Sequence, residues 1–233
     1  MPFRSAGSGS VARGPVRHPL FARYYARVSV RAETGFGMAG IRERLLAGLT
    51  GRVIEIRAGN GLNFAHYPGT VSEVVAIEPE RLLRQRAVEA ALRSGVPVDV
   101  VPGVAEALPV KSEAFDAVVL ALVLCSVRDP ARALGEVRRV LRPGGEVRFF
   151  EHGRGGGRAM RLTQRALDRT VWPPLAGGCH LARDPVAGLR DAGFRLGPYR
   201  RLLLPGRGPK LPTSYCVLGT AWTPADGDPD TAG

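Results

Sequence analysis

Short apolar runs alternate with amphipathic stretches along most of this chain. The runs at 53–56 and 74–77 are four residues long; one contains Glu55 and the other is followed by Glu78. Runs of this length between turn residues are typical of strands buried in a parallel sheet. The pattern predicts further strands at 98–101, 117–124, 146–150, 200–204 and 215–222, with 117–124 at the centre and the last two as an antiparallel hairpin.

Apolar residues at helical spacing occur before the first predicted strand and between later ones. Phe21, Tyr24, Tyr25 and Val28 recur at helical spacing within 18–32, and a second helix through Ile41, Leu45, Leu46 and Leu49 follows. We predict that these two helices form an N-terminal lid over residues 18–50. Later helices are predicted at 80–94, 130–141, 158–171 (with Leu162 and Leu167 inward) and 184–192.

Strands that alternate with helices predict an α/β fold with a parallel sheet in a single domain, without internal repeats. The predicted domain covers residues 18–223. Residues 1–17 are rich in Gly, Ser, Arg and Pro, and residues 224–233 form an acidic tail. Both compositions favour disorder.

The composition agrees with one α/β domain. A chain of 233 residues with 45% hydrophobic content can bury one sizeable core. No apolar run approaches the roughly 20 residues of a membrane span. The N-terminus is polar and basic, unlike a secretory signal. We therefore expect a cytoplasmic protein.

The net charge of +12 suggests a polyanionic partner. Only Lys111 and Lys210 are lysines among 33 basic residues, so 31 are arginines. This excess, with abundant Ala, Gly and Pro, suggests a compositional bias, and we expect no nucleic-acid partner. Arginines that lack neighbouring acids leave an RNA-binding surface as an alternative.

The three cysteines, Cys125, Cys179 and Cys216, lie far apart in the sequence. Their spacing matches neither a disulfide framework nor a set of metal ligands, so no metal site is predicted. We expect Cys125, at the end of the predicted central strand, to be a buried small residue.

A glycine turn after the first strand is the main candidate ligand site. The segment VIEIRAGNGLNFAHYP, residues 53–68, places Gly59 and Gly61 where a ligand can approach the backbone closely. A dinucleotide fingerprint would need a third glycine at the position of Phe64, and no phosphate-binding Gly-Lys-Ser/Thr follows. Glu78, 17 residues after Gly61, is placed to accept hydrogen bonds from ribose hydroxyls. Arg57 departs from this pattern, because it occupies the first position of the turn, where glycine is usual.

Six segments in order resemble the class I S-adenosylmethionine-dependent methyltransferases. They are VIEIRAGNGLNFAHYP, VVAIEP, GVAEALP, FDAVVLALVLCSV, EVRRVLRPGG and FFEH, and the similarity covers about residues 21–222. The match is to the branch shared by ubiquinone/menaquinone-type and thiol methyltransferase-like proteins. LVLCSV and Gly178-Cys179-His180-Leu181 are similar to the thiol members, many of which carry an N-terminal hydrophobic anchor that this sequence lacks.

The resemblance implies a Rossmann-like, doubly wound seven-stranded sheet whose last strand is antiparallel. It also implies S-adenosyl-L-methionine as cofactor, with S-adenosyl-L-homocysteine as product, bound at the carboxyl ends of strands 1 to 4. The cofactor-binding residues it implies are Glu55, Arg57, Ala58, Gly59, Gly61, Asn63, Glu78, Pro79, Ala105, Glu106, Ala121 and Leu122.

Methyl transfer from a sulfonium requires an aligned nucleophile more than elaborate acid–base chemistry. A thiol ionises with little help, whereas a hydroxyl acceptor benefits from a general base. His152, after strand 5, and His180, in a late loop, are the candidate catalytic residues; each is equally consistent with an orienting or structural role. Trp172 is a candidate for the wall of an apolar acceptor pocket or for the core of the lid.

The sequence thus predicts a methyltransferase for a small-molecule thiol, hydroxyl or amine. Two alternatives stay open. The arginine excess favours an RNA methyltransferase, and Arg57 favours a methyltransferase fold that has lost its cofactor and serves as a binding module. If Arg57 adopts positive φ, Arg57→Gly should tighten cofactor binding; its guanidinium turning outward, or pairing with Glu55 or the cofactor, is the other possibility. The oligomeric state is not predicted.

Overall fold

A seven-stranded sheet organises the protein, whose structure is a computed structural model that describes residues 22–24, 26, 29–30, 37–206 and 208–224. The strand order is β3-β2-β1-β4-β5-β7-β6. β1 pairs in parallel with β2 and β4, and β4 pairs in parallel with β5, whereas β7 runs antiparallel to both β5 and β6. The predicted doubly wound sheet with an antiparallel last strand is confirmed.

The elements follow one another in the order strand, helix, strand. The strands are β1 (Gly51–Ile56), β2 (Val71–Ile77), β3 (Val98–Val101), β4 (Phe115–Ala121), β5 (Leu141–His152), β6 (Arg195–Leu203) and β7 (Tyr215–Trp222). The helices are α1 (Met38–Leu46), α2 (Arg81–Ala91), α3 (Pro130–Val140), α4 (Arg158–Arg169), α5 (Trp172–Leu175) and α6 (Pro185–Asp191), with short 3₁₀ turns at Phe64–His66 and Pro212–Ser214.

Acidic caps explain where three helices begin. The side chains of Glu80, Asp129 and Asp184 each accept a hydrogen bond from the backbone N–H of the third residue of the helix that follows, which is α2, α3 and α6 respectively. The two aspartates are each followed by proline at the first helical position, where the missing N–H costs nothing. These local signals fix the helices that cross between parallel strands.

The central strand is shorter than its apolar run predicts. β4 ends at Ala121, and Leu122 adopts φ 58°, so the predicted strand over 117–124 is wrong at its end. Three backbone N–H groups after this break donate to the Glu151 carboxylate instead of a neighbouring strand. Cys125 therefore lies in a turn beyond the strand, although it is buried as predicted.

Two other predictions need correction. The strand predicted at 146–150 begins already at Leu141, and residues 142–145 belong to it with an irregular register, with Gly144 at φ 71°. On α4, Leu162 is exposed and Gln164 is the fully buried residue. Gln164 faces inward because its amide bonds Gly155 N–H and the carbonyls of Gly153 and Pro212.

The predicted N-terminal lid is described in part. α1 is its second helix, and Ile41, Leu45 and Leu46 are buried against the sheet. Residues 22–24, 26 and 29–30 are helical, whereas Phe21, Tyr25 and Val28 lie outside the described residues. Residues 1–17 and 225–233 also lie outside them, so disorder of the two tails stays a prediction.

Candidate active site

A cavity of about 650 Å³ opens at the carboxyl ends of β1 and β4. The strand order reverses between these two strands, and open α/β sheets bind ligands at such a switch point. Six of the predicted cofactor-binding residues line this cavity, which we call the cofactor cleft: Arg57, Gly59, Glu78, Pro79, Ala121 and Leu122.

Glu78 is fixed at the end of β2 by the glycine turn. Its carboxylate accepts hydrogen bonds from the backbone N–H of Gly59 and of Glu80, both at 2.8 Å. Burial raises the pKa of Glu78, while the Glu80 N–H and the nearby Arg57 charge oppose that rise. Each carboxylate oxygen keeps a further lone pair, so Glu78 can still accept from a ligand hydroxyl in the cleft.

The two glycines of the turn have different roles. Gly59 has φ 61° and lines the cleft. Gly61 has φ 76°, and a Cβ there would lie 2.7 Å from the Phe64 ring and 2.9 Å from the Ala90 methyl. Gly61 therefore admits Phe64 into the core, and it does not line the cleft. This packing also explains why Phe64 occupies the third position of a would-be dinucleotide fingerprint.

Glu55 and Asn63 form a buried anchor beneath the turn. The Glu55 carboxylate accepts from Asn63 Nδ2 at 2.7 Å and from the Tyr67 hydroxyl at 2.8 Å, and Asn63 Oδ1 accepts from Arg42 at 2.6 Å. Burial raises the pKa of Glu55 to about 7, against these two hydrogen bonds. The anchor ties the turn to β1 and α1. Neither Glu55 nor Asn63 lines the cleft. Tyr67 was not singled out by sequence.

The remaining predicted cofactor residues lie away from the cleft. Ala58 is buried, and its N–H donates to Ile77 at 3.0 Å. Ala105 belongs to the core on one face of the sheet. Glu106 accepts from the backbone N–H of Arg128 and Asp129. The side chain of Glu106 therefore holds the loop that leads into α3.

A third strand-end acid, Glu151, shapes the turn after β4. Its fully buried carboxylate accepts from the N–H groups of Val123 at 2.7 Å, Leu124 at 3.0 Å and Cys125 at 3.3 Å. Burial raises its pKa to about 7, which these three bonds counteract. Glu151 could have been found from the sequence. It follows the apolar residues of FFEH near the end of a predicted strand, and Glu55 and Glu78 have similar positions in their strands.

Two cysteines and a histidine meet at the inner wall of the cofactor cleft. Cys125 comes from the turn after β4, His152 from the end of β5, and Cys179 from the segment after α5. Their ligating atoms all lie within 4.8 Å of one another, and Cys179 Sγ is 3.4 Å from His152 Nδ1. Sequence spacing gave no hint of this cluster, because the sheet brings together residues 27 positions apart.

The ionisation of this cluster is asymmetric. Hydrogen bonding from Cys125 is the main cause that lowers the pKa of Cys179 to about 5, against burial and with help from His152. Correspondingly, the shared hydrogen bond and burial hold the pKa of Cys125 well above its usual range. Burial lowers the pKa of His152, but its contact with Cys179 more than compensates, so the net shift is upward. These opposite shifts make Cys179 the more acidic of the two thiols.

Of the two candidate histidines, His152 lines the cofactor cleft and His180 does not. Both line a neighbouring cavity of about 450 Å³, together with Asp168 and Arg183. His180 contributes to the cleft through its backbone, since its N–H donates to the Cys125 carbonyl at 2.7 Å. Trp172 does line the cleft, and its buried indole lies beside Cys179, where it helps to lower the pKa of that thiol.

Comparison with known proteins agrees with this geometry. Residues 54–149 match the family described as Methyltransferase domain. Thiol S-methyltransferase TMT1B of Mus musculus is 36% identical over 181 residues, covering 75% of this chain and 72% of the mouse protein. The Homo sapiens protein of that name is 35% identical over 155 residues, covering 64% of this chain and 63% of its own length.

Among solved structures, a SAM-dependent methyltransferase of Thermotoga maritima, described as a possible histamine N-methyltransferase, superposes with a TM-score of 0.62. It is 22% identical and covers 87% of this chain and 97% of its own, which supports the fold alone. The chain belongs to the class I S-adenosylmethionine-dependent methyltransferases. It spans about three fifths of the length of the human and rat thiol S-methyltransferases that it matches. In the part of the chain that the structure describes, no helix is both long and apolar enough to cross a membrane.

Proposed function

We propose that this protein transfers the methyl group of S-adenosylmethionine to the sulfur of a small-molecule thiol. The observation that carries the proposal is the position of the Cys179–His152 pair on the wall of the cleft that Glu78 and Gly59 also line. The mouse and human relatives are named as thiol S-methyltransferases, which supports the same acceptor.

The protonation states favour a thiol over a hydroxyl acceptor. A hydroxyl needs a general base within hydrogen-bond reach. His152 Nδ1 is engaged by Cys179 Sγ at 3.4 Å, and His180 lines the neighbouring cavity, so neither histidine is placed as a free base in the cleft. A thiol, whose reference pKa is about 8.5, is already partly ionised near neutral pH. The positive charge of Arg57, which lines the cleft, further favours the thiolate form of an acceptor bound there.

The residues of the cleft suit the cofactor of this family. Glu78 offers carboxylate lone pairs for ribose hydroxyls, and Gly59 leaves the backbone open to close approach. Ala121 and Leu122 supply an apolar floor at the end of β4. The cofactor supplies an electrophilic methyl group on a sulfonium. The protein holds the acceptor sulfur in line with that methyl carbon, so that the new sulfur–carbon bond forms as the sulfonium carbon–sulfur bond breaks.

The proposal is tested with an acceptor panel matched in shape. A small alkyl thiol, the corresponding alcohol and the corresponding amine are incubated with the protein and methyl-labelled cofactor, and the products are identified by mass spectrometry. We expect a methyl thioether from the thiol, and at least about tenfold less product from the alcohol and amine. Preferential methylation of the alcohol or amine would contradict the proposal, as would tight cofactor binding with no transfer to any thiol.

A further inference from the structure

We propose that Cys125, His152 and Cys179 form a zinc site whose open fourth position faces the cofactor cleft. Two sulfur ligands and one imidazole nitrogen are a donor set that Zn²⁺ prefers. Within the described residues, this trio is the one group of three side chains of metal-ligating type whose atoms converge. The site itself does not depend on the proposed function; only the identity of the fourth ligand, the acceptor thiolate, rests on it.

The distances fit a tetrahedral ion. Zinc lies about 2.3 Å from a thiolate and about 2.0 Å from an imidazole nitrogen, so a tetrahedral angle separates sulfur and nitrogen by about 3.5 Å. Cys179 Sγ and His152 Nδ1 are 3.4 Å apart. All three ligating atoms lie within 4.8 Å of one another, so an ion requires side-chain shifts of about 1 Å at most.

Backbone hydrogen bonds hold two of the ligands in place. Cys125 donates its N–H to Glu151 and accepts at its carbonyl from the His180 N–H. The Cys179 N–H donates to the Ala176 carbonyl at 3.1 Å. His152 ends β5, where it pairs with Cys216 of β7. The ligands therefore come from three separately anchored elements, as a preformed site requires.

The open position distinguishes this site from a structural one. Structural zinc has four protein ligands, whereas three ligands leave room for a substrate or water. All three ligands line the cofactor cleft. An acceptor thiol that binds as fourth ligand would release its proton to solvent, and its sulfur would be fixed beside the methyl donor. The thiolate would then form the new sulfur–carbon bond and leave zinc as a neutral thioether, while the electron pair of the broken carbon–sulfur bond would stay on the donor sulfur.

Cobalt(II) serves as a spectroscopic probe of the site. The metal-free protein, with its thiols reduced and kept anaerobic, is titrated with Co²⁺. We expect one equivalent to bind with visible tetrahedral bands and a thiolate-to-cobalt charge-transfer band, and Zn²⁺ to bleach both. Cys125→Ser and Cys179→Ser should each weaken binding at least about tenfold and remove about half of the charge-transfer intensity. Cys216→Ser is the matched control and should keep the full spectrum.

The fourth ligand is tested on the same cobalt protein with S-adenosylhomocysteine added. An alkyl thiol should raise the charge-transfer intensity by about half, because a third sulfur joins two, and the alcohol of the same shape should not. No charge-transfer band with all three thiols reduced, or a full band in the Cys125→Ser/Cys179→Ser double variant, overturns the metal site. A spectrum insensitive to the thiol overturns the open position. Calorimetry with S-adenosylhomocysteine verifies that each variant is folded.

Failure of the metal site and failure of the proposed function give different results. Cobalt spectra as expected without any methyl thioether would leave the zinc site standing and overturn thiol methylation. Equal rates of thioether formation in metal-free and zinc-loaded protein would leave thiol methylation standing and overturn the role of zinc in presenting the acceptor.

Discussion

The guanidinium of Arg57 donates a 2.9 Å hydrogen bond to the hydroxyl of Ser126. The two residues follow β1 and β4, so their bond spans the switch point at which the cofactor cleft opens. Arg57 adopts φ 56°, the left-handed region that favours glycine. Its side chain therefore turns across the cleft toward Ser126, and Glu55 is engaged by Asn63 and Tyr67 instead.

We expect Arg57→Gly to tighten binding of S-adenosylhomocysteine and to raise the free energy of unfolding by ~1 kcal/mol. The substitution relieves the positive-φ strain and removes a long side chain from the cleft. Titration calorimetry and urea denaturation measure the two effects. Ser126→Ala is the comparison variant, because it removes the bond to Arg57 and keeps the arginine; it also removes the bonds of the Ser126 hydroxyl to the Leu122 and Val123 carbonyls. Weaker affinity in Arg57→Gly would show that the arginine contacts the cofactor, and would argue against a crowded, non-catalytic cleft.

Glu78→Gln should weaken S-adenosylhomocysteine binding about 10- to 100-fold. A hydrogen bond to a charged group contributes about 1.5–3 kcal/mol, and the amide also presents a donor where the carboxylate accepts from Gly59 and Glu80. Calorimetry measures the loss, with Glu89→Gln on the exposed face of α2 as the control. An affinity equal to that of the unchanged protein would place the ribose hydroxyls elsewhere.

Glu55 should make stability depend on pH. Its folded-state pKa of about 7 lies above the ordinary 4.5, so the folded protein holds a proton that the unfolded chain releases. The stabilisation is fully present below about pH 4.5 and is lost as pH rises through about 7, with a size of ~3 kcal/mol. We expect the free energy of unfolding, measured by urea denaturation, to fall less between pH 4.5 and 7 for Glu55→Gln than for the unchanged protein or for Glu89→Gln. If the free energy of unfolding depended on pH in the same way for all three proteins, Glu55 would be ionised over the whole of this pH range.

Cys179 should be the first cysteine to react with iodoacetamide in metal-free protein at pH 6. The thiolate is the nucleophile, and the pKa of Cys179 is about 5, whereas burial raises that of Cys216 to about 12. Peptide mass spectrometry assigns the modified residue. His152→Asn should slow this labelling, because the contact with His152 is, after the hydrogen bond from Cys125, a cause of the lowered pKa of Cys179. Faster labelling of Cys216 would contradict the lowered pKa of Cys179.

The two histidines should differ in their effect on turnover. We expect His152→Asn to lower kcat for a thiol acceptor at least about tenfold with little change in S-adenosylhomocysteine affinity, because the residue lines the cleft beside Cys179, where we propose that the acceptor sulfur binds. His180→Asn should have a smaller effect, since its side chain faces the neighbouring cavity. The reverse ranking would make His180 the catalytic histidine. Steady-state kinetics with the thiol of the acceptor panel separates the two outcomes.

The sequence by itself determined the sheet and the position of its ligand-binding edge. Apolar runs ending in acids at Glu55 and Glu78, a glycine turn and capped helices are local signals, and neighbouring residues alone decide them. For the same reason, the strand at 98–101 and the last strand at 215–222 were predicted at their observed bounds.

Only the tertiary structure decided what each strand-end side chain does. Glu55 and Glu78 look alike in sequence, yet one anchors the turn from below and the other lines the cleft. The apolar run 117–124 breaks at Leu122 because Glu151, from another strand, competes for its backbone N–H groups. Cys125 and His152 meet because parallel pairing brings the ends of β4 and β5 to one edge, and the segment after α5 adds Cys179 to them. Contacts of this kind depend on strand order and register, which local spacing does not encode.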